Sequence, residues 1–374
     1  MTEKIAFFIP SLRGGGAERM FARMATHFTE LGHSVDMVVM SSANSEYQEE
    51  LSEKVRMVDL KTPRLWTSLP AFRGYCLAEK PDVVISAMPL ANGIAAWAMR
   101  LMKAPPLLMV TEHNAISMAF GDLDVPKYRP LMWLIRPSYR WADAAVGVSE
   151  GVAKRLRRMA GLAPNRVYSI PNPAWSPNIE TRGNSAEWTH EWLEHRRAPV
   201  VISAGRMEAQ KDFATLLRAF SKVRSRRLAK LVIIGEGSQR RQLEALATEL
   251  GLDQDLLMPG FQKNPFVWFA KADVYAMSSI HEGFGNVLVE CMACGTPVVS
   301  TDCPSGPTEI LDGGVYGQLV PVGDHHALAE AIEQQLDNPI SVDELKARAR
   351  EFSIEASCSA YLDLIENLMR QREL

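Results

Sequence analysis

A loop and its flanking carboxylates, between Ser278 and Glu290, have the residue types of a site for a phosphorylated ligand. A Gly-Phe-Gly sequence follows an apolar run, and seven residues separate Glu282 from Glu290. A glycine loop that opens a helix turns backbone amides towards an anion, and the amides of Gly285 to Val287 would have that position. A carboxylate at the loop can bind sugar hydroxyls, and a second one suits the vicinal hydroxyls of a ribose.

Two cations follow another apolar run in the middle of the chain. Residues 200–204 are apolar except for Ser203, and Arg206 and Lys211 come shortly after them. Open α/β sheets bind ligands at the carboxyl ends of their strands, where two cations could neutralise the charge of a departing diphosphate. Two solvated cations near the start of a helix are the ordinary alternative for an isolated pair.

Three glycines near the N-terminus stand in a similar place. Gly14, Gly15 and Gly16 follow the apolar residues 5–9 and precede an amphipathic stretch. Glycine lets a ligand approach the backbone closely, and a helix beginning there would turn its amides towards a phosphate. The spacing differs from G-x-G-x-x-G, so a tight turn between a strand and a helix explains these glycines equally well.

Short apolar runs alternate with amphipathic segments along most of the chain, and they place these groups at strand ends. Runs that are apolar on both faces are typical of a parallel sheet covered by helices. The predicted strands are residues 5–9, 35–40, 55–60, 83–87, 107–110, 144–148, 200–204, 231–234, 274–277, 297–300 and 318–320. The predicted helices are residues 17–31, 91–102, 150–159, 212–223, 239–250, 286–293, 327–336 and 354–370.

This alternation predicts two doubly wound α/β domains. The pattern stops in the Pro-rich and polar residues 168–195 and restarts afterwards. A chain of 374 residues also exceeds what one hydrophobic core usually supports. We expect domains at 1–172 and 173–374. The last helix, about 354–371, has no strand left to cover and could return to the first domain.

Composition excludes several classes of protein. The chain is 47% hydrophobic and 23% charged, as globular proteins are. No run approaches the roughly 20 apolar residues of a spanning helix, and no signal-peptide pattern is present. Five cysteines, an odd number, predict reduced thiols and a cytoplasmic protein.

The net charge of −3 is unevenly distributed along the chain. Residues 1–170 carry 21 Lys and Arg against 16 Asp and Glu, whereas the remainder is acidic. The basic half suggests an anionic surface or ligand, and the overall balance does not suggest nucleic acid. Chance surface charge is the alternative.

Together these motifs resemble the family-4 retaining glycosyltransferases of the GT-B fold, whose signature is an E-x7-E element in the C-terminal domain. The resemblance covers nearly the whole chain. It is closest to bacterial enzymes that build lipid-linked oligosaccharides or surface polysaccharides. Besides the Glu282 to Glu290 element, the matching residues are ACGTPVVSTDCPSGPTEIL, Arg206 with Lys211, Gly235-Glu236-Gly237, GGGAER and Glu112-His113.

The resemblance implies two Rossmann-like domains that face each other across a cleft, and a role for each matching residue. Arg206 and Lys211 would clamp the donor diphosphate. Glu290 would hold the ribose, and Glu282 would face the transferred sugar, with Glu309 behind it. Loop amides would contact sugar hydroxyls and phosphate, and they belong to Gly283, Phe284, Gly285, Asn286 and Val287.

Further matches imply contacts from the first domain and from a loop that reads the base. Gly15 and Gly16 would lie under the diphosphate and near the acceptor. His113 would reach the donor sugar through a hydroxyl or on the side of the developing oxocarbenium ion. Gly235 and Phe261 would line the donor site, the latter in a loop that favours uridine.

The resemblance also implies a UDP-sugar donor, retention of the anomeric configuration, and no metal ion or other cofactor. The leaving phosphate would take the acceptor proton in a front-face displacement, and the protein would mainly stabilise the leaving charge. The acceptor would be a lipid-linked glycan or a polysaccharide. A metal-dependent transferase would show D-x-D at a strand end, and the sequence has none in a suitable context.

Residues 128–159 interleave seven cations with aromatic and aliphatic side chains. They could lie on an anionic membrane and present a lipid-linked acceptor, which predicts a peripheral protein on the inner face of the cytoplasmic membrane. They could equally be two ordinary helices with a core face and a solvent face.

Three other functions use similar residues. A sugar-nucleotide epimerase of the same fold would use the same cleft without an acceptor, but separate acid and base residues are not evident. A non-catalytic two-lobed sugar-binding protein is typically exported. A nicotinamide dehydrogenase would need the fingerprint glycine spacing and an acidic ribose partner about 20 residues later. Cys291 and Cys294 have no second cysteine pair, so we expect thiols that pack a helix against the sheet and neither a zinc nor a thioredoxin-like site.

Overall fold

The chain forms two compact units in the computed structural model. The structure describes residues 2–13, 16–43, 51–62, 64–113 and 129–373. One unit consists of residues 1–173 with 354–374, and the other of residues 174–353.

The first unit is built on a seven-stranded parallel sheet. Strands β1 to β7 are Lys4–Ile9, Ser34–Val39, Arg56–Asp59, Val83–Ala87, Leu107–Glu112, Ala144–Gly147 and Val167–Ser169. Their order across the sheet is β3-β2-β1-β4-β5-β6-β7, so the winding reverses between β1 and β4. Helices α1 to α5 are Gly16–Glu30, Leu65–Glu79, Pro89–Arg100, Arg129–Ser138 and Glu150–Ala160.

The second unit repeats this architecture with six parallel strands. Strands β8 to β13 are Val200–Ala204, Lys230–Ile234, Leu256–Gly260, Val274–Met277, Val298–Thr301 and Gln318–Val320. The order β10-β9-β8-β11-β12-β13 reverses the winding between β8 and β11. Helices α6 to α14 are Pro177–Gly183, Glu191–His195, Phe213–Arg226, Arg240–Glu249, Phe266–Lys271, Asn286–Ala293, Pro307–Ile310, His325–Asp337 and Val342–Arg350. The two sheets confirm the predicted doubly wound α/β class.

The last helix, α15 (Ile354–Glu373), packs in the first unit. Cys358, Tyr361 and Ile365 are at most 2% exposed, and they join the same core as Phe28 of α1. Their spacing of three and four residues places them on one face of the helix. The C-terminal end is also fixed, because Arg372 donates to Asp143 and to the carbonyl of Pro105.

No helix within the described ranges is long and apolar enough to cross a membrane. All five cysteines are reduced, and four of them are buried. Burial raises the pKa of the Cys76 thiol to about 12, so it remains protonated and unreactive at neutral pH.

Candidate functional site

Two loops of the second unit lie side by side where its sheet reverses direction. One loop follows β8 and the other follows β11, which are neighbouring strands although β9 and β10 intervene in the sequence. Three hydrogen bonds join the loops: Ile280 N donates to Gln210 O at 2.8 Å, Gln210 Nε2 to His281 O at 2.9 Å, and Ser278 Oγ to Lys211 O at 2.8 Å. This edge of an open sheet is the usual ligand site of the fold.

The two loops bring Lys211 and Glu282 into direct contact. Lys211 Nζ lies 2.6 Å from Glu282 Oε1, and the two side chains are 18% and 9% exposed. Ser279 Oγ donates to the same oxygen at 2.6 Å, and Ser279 itself is fully buried. A charge pair this shielded from water interacts more strongly than a surface pair, and removing either partner leaves an uncompensated charge.

The segment after Lys211 fixes the position of this lysine in the loop. Asp212 is the N-cap of α8 and has a φ of 44°. Its carboxylate accepts from Thr215 N at 3.3 Å and from Thr215 Oγ1 at 2.6 Å. A capping residue satisfies an amide that the first helical turn leaves free, so Lys211 sits at a well-defined helix start.

The glycine loop after β11 packs tightly against a second loop. Phe284 is buried, and Gly285 precedes α11 as its N-cap. Gly306, with a φ of 96°, lies so close that a Cβ there would be 1.7 Å from Phe284 O. Gly283 is buried, whereas Asn286 and Val287 are half-buried in the first turn of α11.

Gly235 follows β9, which lies on the other side of β8 from β11. It packs between Gly205, which follows β8, and Gly260, which ends β10. A Cβ at Gly235, which has a φ of 134°, would lie 2.0 Å from Gly205 O. Gly205 N donates to Ile234 O at 3.0 Å, and Gly235 N donates to Gly260 O at 3.0 Å. Phe261 follows Gly260 and is 80% exposed.

The other predicted residues of the second unit lie in the loop after β8 and on helices α11 and α12. Arg206 is exposed, and its charge is one of the causes that lower the pKa of Glu208, after hydrogen bonds from Ser238. Glu290 is half-buried on α11, and Glu309 is half-buried on α12.

In the first unit, His113 follows the end of β5. Its Nε2 lies 3.1 Å from Thr111 Oγ1, which itself donates to Ser86 O at 2.9 Å. Because that hydroxyl has one hydrogen, the network assigns the imidazole hydrogen to Nε2. Burial lowers the pKa of His113 to about 4, so the ring is neutral at pH 7.

Of the glycines near the N-terminus, Gly16 begins α1 and is exposed. Gly14 and Gly15 lie outside the described residues, so their predicted contact with a phosphate stays a prediction.

A buried polar cluster next to His113 was not predicted from the sequence. Asn92 Nδ2 donates to Glu112 Oε1 at 2.8 Å and to Thr111 O at 2.9 Å, and Tyr139 OH also donates to Glu112. Ser86 Oγ donates to Asn92 Oδ1 at 2.7 Å. All five residues are at most 1% exposed. The cluster therefore ties β4, α3 and β5 together just before His113.

The raised pKa of Glu112 predicts that the stability of the protein depends on pH. Burial raises its pKa from 4.5 to about 8, although hydrogen bonds from Tyr139 and Asn92 act in the opposite direction. Between pH 4.5 and about pH 8, Glu112 keeps its proton in the folded chain but has lost it in the unfolded chain. The contribution of Glu112 to the free energy of unfolding therefore falls as the pH rises, by at most about 1.4 kcal/mol per pH unit.

Substitution of Glu112 by glutamine should remove this slope, because the amide does not titrate. Urea unfolding of both proteins at pH 5, 6, 7 and 8 measures the difference. We expect wild type to lose stability relative to Glu112→Gln as the pH increases. Parallel pH profiles would show that Glu112 is not held protonated.

No group of three or more His, Cys, Asp or Glu residues that could hold a metal ion occurs among the described residues. His325 and His326 begin α13, where Asp324 accepts from His326 N at 3.0 Å as the helix cap.

Both halves of the sequence match glycosyltransferase families. Residues 184–352 match the family described as Glycosyl transferases group 1, and residues 14–174 match Glycosyltransferase Family 4. The chain is 31% identical over 364 residues to the lipopolysaccharide core biosynthesis glycosyltransferase LpsE of Rhizobium meliloti. The match covers 94% of this chain and 96% of the relative.

Two further comparisons agree with this match. The chain is 28% identical over 350 residues to the N-acetylgalactosamine-N,N'-diacetylbacillosaminyl-diphospho-undecaprenol 4-alpha-N-acetylgalactosaminyltransferase of Campylobacter jejuni, with 90% of this chain and 91% of the relative covered. The solved structure of HepE from Anabaena in complex with UDP-glucose has a TM-score of 0.78 at 19% identity and covers 98% of this chain and 100% of HepE.

Two doubly wound units, each matched by a glycosyltransferase family model, place the chain in the GT-B class of transferases. The chain belongs to glycosyltransferase family 4, as the sequence motifs predict.

Proposed function

We propose that the chain transfers a sugar from a UDP-sugar to a lipid-linked or polysaccharide glycan, with retention of the anomeric configuration and without a metal ion or other cofactor. The observation that carries the proposal is the shielded ion pair of Lys211 and Glu282 at the reversal of the second sheet. The site residues that the sequence predicts in this unit are proposed with the same roles, and so are His113, Gly15 and Gly16.

The names of the relatives support these substrate classes. The Campylobacter jejuni relative is named for a sugar acceptor on diphospho-undecaprenol, and the Rhizobium meliloti relative for lipopolysaccharide core biosynthesis. HepE was solved with UDP-glucose. A lipid-linked acceptor and a UDP-sugar donor are therefore the classes to test first.

The ion pair offers a way to exchange partners when the donor binds. The Lys211 ammonium is neutralised by Glu282. A diphosphate carries more charge than a carboxylate and would compete for that ammonium, together with the exposed Arg206. Glu282, still held by the Ser279 hydroxyl, would then accept hydrogen bonds from sugar hydroxyls.

The chemistry follows from this arrangement. The acceptor oxygen bonds to the anomeric carbon on the face from which UDP departs, while the bond from that carbon to the phosphate oxygen breaks. The acceptor proton passes to the departing phosphate oxygen. Lys211 and Arg206 stabilise the charge of the leaving group, the task that a metal performs in other transferases.

A panel of nucleotide sugars, incubated with the full chain in excess chelator and with a lipid-linked glycan, tests the proposal. We expect acceptor-dependent release of UDP from one UDP-sugar, at the same rate with and without chelator. Conversion of the donor sugar without UDP release would indicate an epimerase, and binding without turnover a sugar-binding protein. Inhibition by chelator would contradict the metal-free mechanism.

We also propose that α4 and α5 hold the protein on an anionic membrane, on the inner face of the cytoplasmic membrane. Trp133 is 83% exposed and Leu134 is 38% exposed, both on α4. Arg136, three residues after Trp133, and Arg158 of α5 are exposed as well. An exposed tryptophan beside cations is typical of a surface that inserts at the headgroup level of a membrane. Tyr128, at the start of the predicted segment, lies outside the described residues.

Replacement of Trp133 by serine should weaken binding to anionic vesicles about tenfold, because a partly inserted indole contributes roughly 1.5 kcal/mol. Co-sedimentation with phosphatidylglycerol vesicles measures this, with phosphatidylcholine vesicles for comparison. Trp188→Ser is the matched control, since Trp188 is 70% exposed in the other unit. Equal binding of the two variants, or binding unaffected by added salt, would contradict the proposal.

A further inference from the structure

One arginine outside the predicted site donates hydrogen bonds to a short helix next to the glycine loop. Arg348 of α14 donates from Nε to Ile310 O at 2.9 Å and from Nη2 to Glu309 O at 2.6 Å. Its side chain is 15% exposed and also pairs with Glu351. The two carbonyls lie at the C-terminal end of α12, which spans only Pro307–Ile310.

A helix as short as α12 needs such a partner. A single turn is far below the length at which a helix is stable in water, and its last carbonyls have no partners within the helix. A guanidinium at that end satisfies two of them and is favoured by the negative end of the helix dipole. Arg348 is therefore the group that completes the C-terminal end of α12.

Arg348 also contacts the glycine loop through an aromatic ring. The guanidinium lies 5.0 Å from the centre of the Phe352 ring and 5.2 Å from that of Tyr316. Phe352 in turn meets Phe284 edge to face, with ring centres 5.4 Å apart. Cation–aromatic and edge-to-face contacts of this kind both stabilise the packing of the rings.

The two contacts of Arg348 converge on the same residue. Gly306, immediately before α12, packs against the Phe284 carbonyl so closely that a Cβ would overlap it, and Phe352 packs against the Phe284 ring. Phe284 lies two residues after Glu282 and two before Asn286. Both the backbone and the side chain of this loop therefore depend on elements that Arg348 holds.

We propose that Arg348 is a positioning residue for donor binding: through α12 and Phe352 it fixes the loop around Phe284 that carries Glu282 to Val287. The inference rests on the proposed function, because it assigns the donor to that loop. Arg348 itself touches no substrate, and it sets how tightly the donor is held.

The test compares Arg348→Met with Arg350→Met in the full chain. Arg350 lies on the same helix, is 53% exposed and pairs with Glu180, so its removal takes away the same charge without touching α12. We expect Arg348→Met to raise the donor KM about tenfold or more and to leave the acceptor KM unchanged. Arg350→Met should match wild type in both constants. The donor KM of Arg348→Lys should lie between those of wild type and Arg348→Met.

Phe352→Leu provides a second test if Arg348→Met does not fold, because it interrupts one contact only. We expect a donor KM about threefold above that of wild type. A lower melting temperature and a lower kcat with unchanged donor KM would make Arg348 merely structural and overturn the inference. If wild type itself uses no nucleotide sugar, the proposed function fails, and the inference that rests on it fails as well.

Discussion

Lys211→Ala is expected to abolish sugar transfer while the protein remains folded. The substitution removes the ammonium that lies 2.6 Å from Glu282 and that we assign to the leaving diphosphate. Loss of one well-placed charge-stabilising group typically lowers kcat about a hundred- to a thousandfold, and a full positive charge in a shielded site should be at the upper end. Initial rates of UDP release, measured beside circular dichroism spectra, give both quantities.

A second ion pair in the same unit supplies the control for Lys211. Lys271 Nζ lies 2.6 Å from Glu194 Oε1, the same distance, but away from the two loops. Lys271→Ala should therefore cost stability without changing the rate of transfer. Normal transfer by Lys211→Ala would refute the proposed role, and equal loss in both variants would show a general effect of removing an ion pair.

Gly235→Ala is expected to disrupt the donor site from a position that makes no side-chain contact at all. The new Cβ would lie 2.0 Å from the Gly205 carbonyl, so the loop that carries Arg206 and Lys211 must move. The φ of 134° at Gly235 is also unfavourable for any residue with a Cβ. We expect transfer to fall about a hundredfold, since displacement of reacting groups by about 1 Å can have that effect.

The variant Gly251→Ala distinguishes the effect of an unfavourable φ from the effect of a displaced loop. Gly251 also has a positive φ, of 68°, but no atom lies within 4 Å of the position its Cβ would take. Its replacement should lower the free energy of unfolding by about 1 kcal/mol and leave activity unchanged. Thermal unfolding and donor kinetics of both variants make the comparison, and wild-type kinetics in Gly235→Ala would contradict the assigned geometry.

The alternating pattern predicted the central strands of both sheets and missed two strands at the edges. Strand β7 has three residues and β10 contains Pro259, and each is the outermost strand of its sheet. Edge strands are buried on fewer sides and tolerate proline, so their sequences lack the continuous apolar run of a central strand. The strands at the opposite edges, β3 and β13, were predicted, so the pattern identified every central strand but only two of the four edge strands.

Helix α2 was missed for a related reason. It has Pro70 within its span, and its apolar residues do not concentrate on one face. Proline is expected to end a helix, and without an amphipathic pattern the sequence gives no other sign of one. The last helix shows the opposite case, because its spaced apolar residues were evident and the first domain was named as the unit to which it could return, where it packs.

The motifs placed Lys211 and Glu282 in one site, although the two residues are 71 positions apart. The rule for doubly wound sheets explains why, since the strands that precede them are neighbours at the reversal. The partners of these groups were harder to foresee. Asn92, the polar residue in an otherwise apolar helix segment, could have signalled the buried cluster around Glu112, whereas Tyr139 and Ser279 have no such pattern around them.

Titration with UDP, followed by the melting temperature in the presence of chelator, tests most directly whether the loops after β8 and β11 bind a nucleoside diphosphate. A ligand present at a hundred times its Kd stabilises a folded protein by about 2.7 kcal/mol, which a thermal scan resolves readily. We predict a clear upward shift for wild type and for Lys271→Ala, and none for Lys211→Ala. An unshifted wild type, or the same shift in Lys211→Ala, would contradict the account.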